Sequence, residues 1–540
     1  MRPPSGGAFA DRTPTPPHIH PASHPVSLRP TEPSRIQSSD PTSSQPANIS
    51  AALWAAAALA IGFALQVSYG IQDARGLRWL TAGIILAWVG VFIRGGKPWL
   101  PWFVCIAGLV WQFHQQVVAE PLGDHAKPQS FDLLGVPLMA VLAVLAIWEA
   151  KRLRGRKGNA EDPHPNPLPE YRERGKAPTP TLPLSTRGGR IKGWRFRPLL
   201  VLMLLTYFIV GALLIHASPN PFIDVFEVTK DSCQAFAHGL NPYAIDFPNI
   251  YAYTHGWDRA FYPPGFVYDG RVHFGYQYMP LSFFVSFAGY LFTHDFRLGN
   301  LAAVTIAGGL LALSGDGLAT AAAAILLFTP RVYYVLERGW SEPAVVLCLA
   351  FVIYCARRRP RWLPWAVGLL LVSKQHMILI APALPLLLPR PLQWRSSLQF
   401  LFKAAIVGAA ITLPLVLWNV PAFWKSAITV QVQNPFRADS LNYAATWVRA
   451  GHAAPGVWLS LVFAAIAGAI VFWKAPRTPA GFAIGVSLIF LCFFSVAKQA
   501  FCNYYFLTVG ALCCAVAAAD IQSVRRLANA PGSDSRNTPT

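Results

Sequence analysis

Apolar residues occur in long, nearly uncharged runs along most of the chain. The stretches 51–68, 131–148, 198–217 and 457–473 are examples. Each approaches the ~20 residues that a helix needs to cross a bilayer. Because backbone in lipid must satisfy its own hydrogen bonds, such runs predict helices. The pattern therefore predicts an all-α fold, a polytopic membrane helical bundle of about 13–15 transmembrane helices with a large extracytoplasmic loop.

Candidate spans can be assigned along the whole chain. One segment, 298–329, is interrupted at Ser314-Gly315-Asp316-Gly317, and we count it as a single broken or re-entrant crossing because protein rather than lipid can surround it. The predicted spans are 51–67, 79–94, 99–118, 131–148, 198–217, 279–293, 298–329, 342–355, 363–373, 376–388, 401–419, 456–473, 480–497 and 503–519.

Composition supports this class of protein. Apolar residues make up 54% of the chain and charged residues only 13%, with a mean hydropathy of +0.37. A soluble protein has about 25% charged residues because its surface faces water. The abundant Trp, Tyr and Phe suit the two membrane–water interfaces.

The positive charge is concentrated in a linker. The net charge is +20, and thirteen Lys or Arg against four acids fall between Lys151 and Arg197. Basic residues beside spans mark the cytoplasmic side and contact anionic lipid, so we predict a lipid bilayer and no nucleic acid as partner. The linker then fixes both chain termini as cytoplasmic, in a multi-pass protein of a bacterial-type inner membrane.

This organisation divides the chain into five regions. Pro-, Ser- and Thr-rich composition predicts a disordered tail at 1–50, and a second follows the last span. The regions are the tail 1–50, a four-helix transmembrane region 51–148, a basic Pro-rich linker 149–197, a transmembrane domain 198–520 with outer loop 218–278, and the tail 521–540. The eight cysteines have no disulfide or metal spacing.

Three acids in the first outer loop form a stripe. Asp224, Glu227 and Asp231 are spaced i, i+3 and i+7, which puts them on one face of a helix. Like charges repel unless a cation, a base or a substrate lies among them, so these are the candidate catalytic residues. A solvated helix face at the membrane surface is the alternative.

Cations from distant segments are expected at the same side. Lys374, Gln375 and His376 form a predicted hairpin tip within an apolar stretch, where ionisable groups are costly and mark function. A snorkelling lysine is the alternative. Arg437 and Lys498 follow in later outer turns, and arginine suits phosphate because its planar fork binds two oxygens.

The outer-loop motifs resemble a known superfamily. Asp224 after a span, Gly239-Leu240-Asn241-Pro242-Tyr243 fifteen residues later, and Tyr262-Pro263-Pro264 are followed by Tyr276-Gln277-Tyr278-Met279-Pro280. Together they resemble the GT-C membrane glycosyltransferases, in the bacterial polyprenol-phosphate mannosyltransferase-like branch, over about residues 198–520. The sequence departs from that branch in its four preceding spans and at Gly339-Trp340-Ser341-Glu342, where a Gly-Gln-like pattern is expected.

The resemblance implies an activity. A polyprenyl-phosphate-sugar donor would pass its sugar to an extracytoplasmic glycan or lipid acceptor, with inversion, and Asp224 would be the general base with Glu227 and Asp231 as partners. Asp224 and Asp231 could hold a divalent cation, but a monophosphate donor gives little reason for one, so we predict no cofactor and no metal. The expected substrate-binding residues are Asn241, Tyr243, Arg271, His273, Tyr276, Tyr278, Lys374, Gln375, His376, Arg437 and Lys498.

Two other functions compete with this one. A transporter or flippase for a lipid-linked or anionic solute would also need many spans, although such proteins commonly contain internal repeats and none is visible here. A non-catalytic assembly protein would not need acids that face convergent cations.

Overall fold

Helices dominate the part of the chain that the structure describes, and local sequence explains where many begin. The computed structural model describes residues 47–123, 126–158, 196–254, 261–388 and 393–519. The Asp73 carboxylate caps the helix that begins at Ala74 by accepting from the Gly76 N–H at 2.7 Å. In the same way, the Thr478 hydroxyl caps the helix that begins at Pro479 by accepting from the Gly481 N–H. Pro198 occupies a first turn, where no helical hydrogen bond is lost. The predicted tails, except residues 47–50, and most of the predicted linker lie outside the described residues.

Most of the described helices are joined by short connections. In chain order they are α1 Asn48–Ser68, α2 Ala74–Phe92, α3 Leu100–Val118, α4 Val136–Gly158 after a π-helical turn at Phe131–Gly135, α5 Pro198–His216, α6 Asp224–Ala237, α7 Pro280–Thr293, α8 Arg297–Ser314, α9 Gly317–Leu327, α10 Val332–Glu337, α11 Glu342–Arg358, a 3-10 turn at Pro360–Trp362, α12 Leu363–Leu371, a 3-10 helix at Gln375–Leu386, α13 Trp394–Trp418, α14 Val420–Phe423, a π-helical turn at Trp424–Thr429, α15 Val430–Gln433, α16 Tyr443–Arg449, α17 Val457–Lys474, α18 Pro479–Phe494 and α19 Cys502–Ala518.

The helical-bundle prediction is confirmed for the described residues. Seven of their helices are long and apolar enough to cross a membrane: Asn48–Ser68, Ala74–Phe92, Phe131–Leu153, Pro198–His216, Arg297–Ser314, Trp394–Trp418 and Val457–Lys474. Shorter apolar helices such as α18 and α19 are buried on nearly all sides. By contrast, α13 exposes Leu398, Phe402 and Leu417 to 55%, 67% and 69%. Apolar surface of this kind is compatible with a multi-pass membrane protein.

The segment 298–329, predicted as one broken crossing, is instead a hairpin of two helices. Gly308 of α8 packs against Leu327 of α9, on either side of the turn at 315–316. Two arginines meet the last turn of α8. Arg357, at the end of α11, donates to the Ser314 carbonyl at 3.1 Å, and Arg197 donates to the Ala312 carbonyl at 2.9 Å. We call this end of the bundle the basic end. Every residue of α9 is buried, so its short length is accommodated within protein.

The segment 279–293, predicted as a crossing, does not reach the basic end. Both of its ends lie near the start of α6. Tyr278, just before the segment, lines the same cavity as Asp224, and the ring of Phe296, just after it, lies 5.4 Å from that of Phe226 between centroids. We call this opposite end the distal end. Because one predicted crossing is lost here and one is gained in the α8–α9 hairpin, Arg357 still lies at the same end as Arg197.

The segments beyond the ends of the helices build the distal end. Helix α6 packs against α7, and the outer loop adds a small antiparallel sheet of β1 Phe247–Pro248, β2 Val267–Tyr268 and β3 Arg271–Val272 in the order β1-β3-β2. The sequence did not predict these strands. Helix α1, from the predicted four-helix region, packs against α2, α3 and α19. The first helices and the last therefore belong to one packed unit.

Candidate functional site

A cavity of about 190 Å³ lies at the distal end. Five separated parts of the chain line it: the α1–α2 turn, the first outer loop, the α10–α11 turn, the segment 431–439 and the segment 499–504. Ten of its 21 lining residues are aromatic, so about half of the wall can pack against the apolar faces of a ligand. The polar lining residues other than Tyr are Asp224, Gln277, Gln431, Asn434, Arg437, Asp439, Gln499 and Asn503.

Asp224 is positioned at the first turn of α6. Its Oδ1 accepts from the Val225 N–H at 2.8 Å and from the Tyr251 hydroxyl at 3.5 Å. Both of these hydrogen bonds go to Oδ1, and Oδ2 takes part in neither. Burial raises the pKa of Asp224, although the Val225 N–H, the Arg437 guanidinium and Tyr251 oppose the change. A carboxylate with a raised pKa and one available oxygen is suited to accept a proton near neutral pH.

Arg437 is the cation of this cavity. Its Nε and Nη2 donate to the two carboxylate oxygens of Asp439 at 2.8 and 2.6 Å, and its guanidinium stacks 3.8 Å from the Phe261 ring centroid. Asp439 is 46% exposed, so water weakens this ion pair. Nη1 donates to no group in the described part of the chain. Arg437 is therefore oriented by Asp439 and Phe261, and the two N–H donors of Nη1 are available to an anionic ligand.

The other two acids of the stripe do not line this cavity. Glu227 accepts from Lys230 at 2.6 Å, three residues ahead on the same helix. Asp231 borders a separate, more open recess together with His238 and Asp246. Burial raises the pKa of Asp231, and Lys230 opposes this. Asp224 therefore lines the cavity without either of its predicted partner acids.

Lys374 lies at the distal end, as the predicted hairpin tip requires, but it is not available as a phosphate ligand. Its ammonium forms a buried ion pair with Glu342 and lies 4.7 Å from the Tyr278 ring centroid. Gln375 donates to the backbone of Gln277 and Ala427.

His376 is packed among aromatic rings. Its ring centroid lies 5.1 Å from that of Phe490, 5.8 Å from that of Phe494 and 6.5 Å from that of Tyr504. It does not line the cavity. Lys374 and His376, which were predicted to meet the phosphate, and the substrate-binding candidate Gln375 therefore support the cavity wall from behind.

Most of the motif aromatics stabilise the outer loop. The Asn241 side chain accepts from the Tyr243 N–H at 2.9 Å, which fixes the turn, and the Tyr243 hydroxyl donates to the Tyr278 carbonyl at 2.8 Å. Tyr276 is buried against Tyr243 and Phe283. Of the predicted residues Asn241, Tyr243, Tyr276 and Tyr278, only Tyr278 lines the cavity.

Three further predicted residues lie outside the cavity wall. Arg271 donates to the Asp246 carbonyl, and His273 bonds to the Asp246 carboxylate at 2.9 Å. Lys498 donates to the backbone carbonyls of Val432 and Asn434 at 2.9 and 3.3 Å. Each therefore holds a loop in place.

Sequence reasoning missed several residues of the site. Tyr69 reaches the cavity from the α1–α2 turn, and Trp340, Asn503 and Tyr504 complete its wall. No local pattern marks them. The pairing of Glu342 could have been predicted from the sequence. A lysine at membrane depth requires an acidic partner, and the nearest candidate acids were those at 337–342.

No group of three or more His, Cys, Asp and Glu side chains in the described ranges is arranged to hold a metal ion. Comparisons of the chain with protein-family models, with curated proteins and with solved structures find no match.

Proposed function

We propose that the protein is a membrane glycosyltransferase that moves a sugar from a polyprenyl-phosphate donor to an extracytoplasmic glycan or lipid acceptor. The single observation that carries this proposal is the pair of Asp224 and Arg437 in the wall of one aromatic cavity. The outer-loop motifs that resemble the GT-C superfamily support the same assignment.

The chemistry needs two charged groups of opposite roles. Asp224 removes the proton from an acceptor hydroxyl as its oxygen attacks the anomeric carbon. The bond from that carbon to the donor phosphate breaks, and the polyprenyl phosphate leaves with the electron pair. Arg437 stabilises the charge that gathers on this phosphate, and fixed electrostatic partners of this kind are usually the largest catalytic contribution. A single displacement inverts the anomeric configuration.

The lipid donor fits the location of the cavity. The proposal places the bundle in a bacterial-type inner membrane, with the basic end and both termini in the cytoplasm and the distal end outside. Exposed apolar side chains along α13 and α17 provide surface that suits the hydrocarbon chain of the donor.

A transporter remains the competing function, and Asp224 distinguishes the two. A general base contributes roughly 10²–10⁴-fold to a rate, whereas solute movement involves no proton removal from a hydroxyl. Cells that lack the protein are complemented with the wild type, Asp224→Asn or Glu227→Gln, and their envelope glycans and glycolipids are compared by mass spectrometry.

The expected result is one hexose-containing species present with the wild type and with Glu227→Gln, and absent with Asp224→Asn at equal membrane abundance. Glu227 is the matched control because it lies on the same helix and outside the cavity. Full restoration by Asp224→Asn would remove the base from the mechanism and favour transport.

A further inference from the structure

Three polar atoms beside the cavity have no hydrogen-bond partner in the described part of the chain. They are Ser341 Oγ, Glu342 Oε2 and Asn503 Oδ1, and their residues are 2%, 0% and 3% exposed. Buried polar groups are nearly always bonded, and leaving one unbonded costs free energy. A group of such atoms at the edge of a cavity therefore marks a place where a ligand can supply partners.

The three residues lie together. Ser341 and Glu342 are adjacent at the start of α11, and the Asn503 amide donates to Glu342 Oε1 at 2.8 Å. Lys374 also contacts Glu342 Oε1, so the cluster is fixed by a buried charge pair. Asn503 itself lines the cavity, which connects the cluster to the space that a ligand occupies.

The chemistry of the cluster selects the ligand group. Amide and carboxylate oxygens only accept, and the serine hydroxyl can do either. A phosphate offers acceptors and would meet acceptors here, whereas a hydroxyl group brings the hydrogen that these atoms need. The cavity is therefore divided by charge, with Arg437 suited to an anion and Asn503 suited to a hydroxyl donor.

Tyr278 and Tyr504 form the wall next to Asn503. Both line the cavity, and their ring centroids lie 4.7 and 5.3 Å from the Lys374 ammonium, which holds the two rings in place. Tyrosine rings pack against the apolar C–H faces of a pyranose while hydroxyl groups at its edge reach polar partners.

We propose that Asn503, with Ser341 and Glu342 behind it, forms a hydroxyl-reading subsite for a neutral sugar ring. This deepens the proposed function, since it assigns the sugar to the Asn503 side of the cavity and the phosphate to the Arg437 side. Asn503 Oδ1 accepts from a ring hydroxyl of the bound sugar, and a sugar that lacks this hydroxyl leaves the amide oxygen unbonded.

Binding of simple probes tests this without any transfer reaction. The full-length protein in lipid nanodiscs is titrated with octyl mannoside, octyl glucoside and octyl galactoside, with the monodeoxy forms of the tightest of them, and with octyl phosphate. Losing a hydroxyl that meets Asn503 should weaken binding about 5- to 160-fold, the range for an unpaired buried acceptor. One deoxy form should show this loss in the wild type.

Two cavity variants assign the effect to Asn503. In Asn503→Leu the deoxy and parent glycosides should bind equally, whereas in Gln499→Leu, a change elsewhere in the same wall, the difference should persist. Octyl phosphate binding should fall in Arg437→Gln and stay unchanged in Asn503→Leu. If Asn503→Leu does not fold, Asn503→Ser replaces it, and a reduced difference between parent and deoxy forms is expected.

The outcomes separate this subsite from the proposed function. Two results overturn the subsite even if sugar transfer depends on Asp224. One is that no octyl glycoside binds, and the other is that the parent and deoxy glycosides differ in affinity as much in Asn503→Leu as in the wild type. Asn503-dependent glycoside binding supports the subsite even if Asp224→Asn leaves the envelope glycans intact, a result that overturns the transferase alone.

Discussion

Replacing Lys374 with Met should destabilise the protein strongly, because it leaves Glu342 buried without its charged partner. The ammonium is 4% exposed and the carboxylate 0%. Removing one member of such a pair costs about 3–5 kcal/mol, most of it from the charge left behind. Contacts with the rings of Tyr278 and Tyr504 add about 0.5–1 kcal/mol each. The single variant should therefore lose about 4–7 kcal/mol of unfolding free energy.

The double variant tests the cause of the loss. In Lys374→Met with Glu342→Gln neither charge remains, so most of the stability should return, with a coupling energy of about 2–4 kcal/mol between the two sites. Equilibrium unfolding in mixed detergent micelles, followed by circular dichroism, measures all the variants. The control is Lys230→Met, which removes the ion pair between Lys230 and Glu227. Because these side chains are 32% and 21% exposed, the change should cost below about 1 kcal/mol.

One result would refute this reasoning. If Lys374→Met costs no more than Lys230→Met and the double variant gains nothing, the Lys374 ammonium is not committed to Glu342. It would then be available to a phosphate, as the sequence predicted.

Two further predictions concern the backbone and the pH dependence. Gly70 has a φ of +74°, and a Cβ there would lie 2.1 Å from the Cys502 nitrogen, whereas at Gly239, φ +77°, it would meet nothing within 4 Å. Gly70→Ala should therefore lose about 1–3 kcal/mol more unfolding free energy than Gly239→Ala, and equal losses would contradict the close approach. Since burial raises the pKa of Asp224, kcat/KM should fall with decreasing pH at a value above the ~4 of an ordinary carboxyl group. Arg437→Gln should move this acid limb to higher pH, and a limb unchanged in that variant would exclude Asp224 as the titrating group.

The sequence predicted most helices because long apolar runs have few other structures open to them in a membrane. It could not decide which runs cross. Pro280–Thr293 and Gly317–Leu327 are both short and apolar, yet the first returns to the distal end and the second is half of a hairpin. Hydropathy reports burial away from water and does not distinguish lipid from protein surroundings.

The candidate site was predictable only in part. Asp224 was named because its spacing with Glu227 and Asp231 puts three acids on one helix face, and Arg437 because a guanidinium suits a phosphate. Lys374 was also named, but its pairing with Glu342 depends on how α11 packs, which spacing along the chain does not reveal. Tyr69 comes from the α1–α2 turn, outside the resembling region, and only the folded chain brings it to the cavity.

Transfer by the purified protein tests the central claim most directly. The protein in nanodiscs is given tritiated polyprenyl-phosphate hexose and acceptor lipids extracted from cells that lack it, and labelled product is counted. The wild type and Glu227→Gln should transfer label at similar rates, and Asp224→Asn should be slower by roughly 10²–10⁴-fold. Equal transfer by Asp224→Asn, or no transfer by the wild type with any hexose donor, would contradict the account.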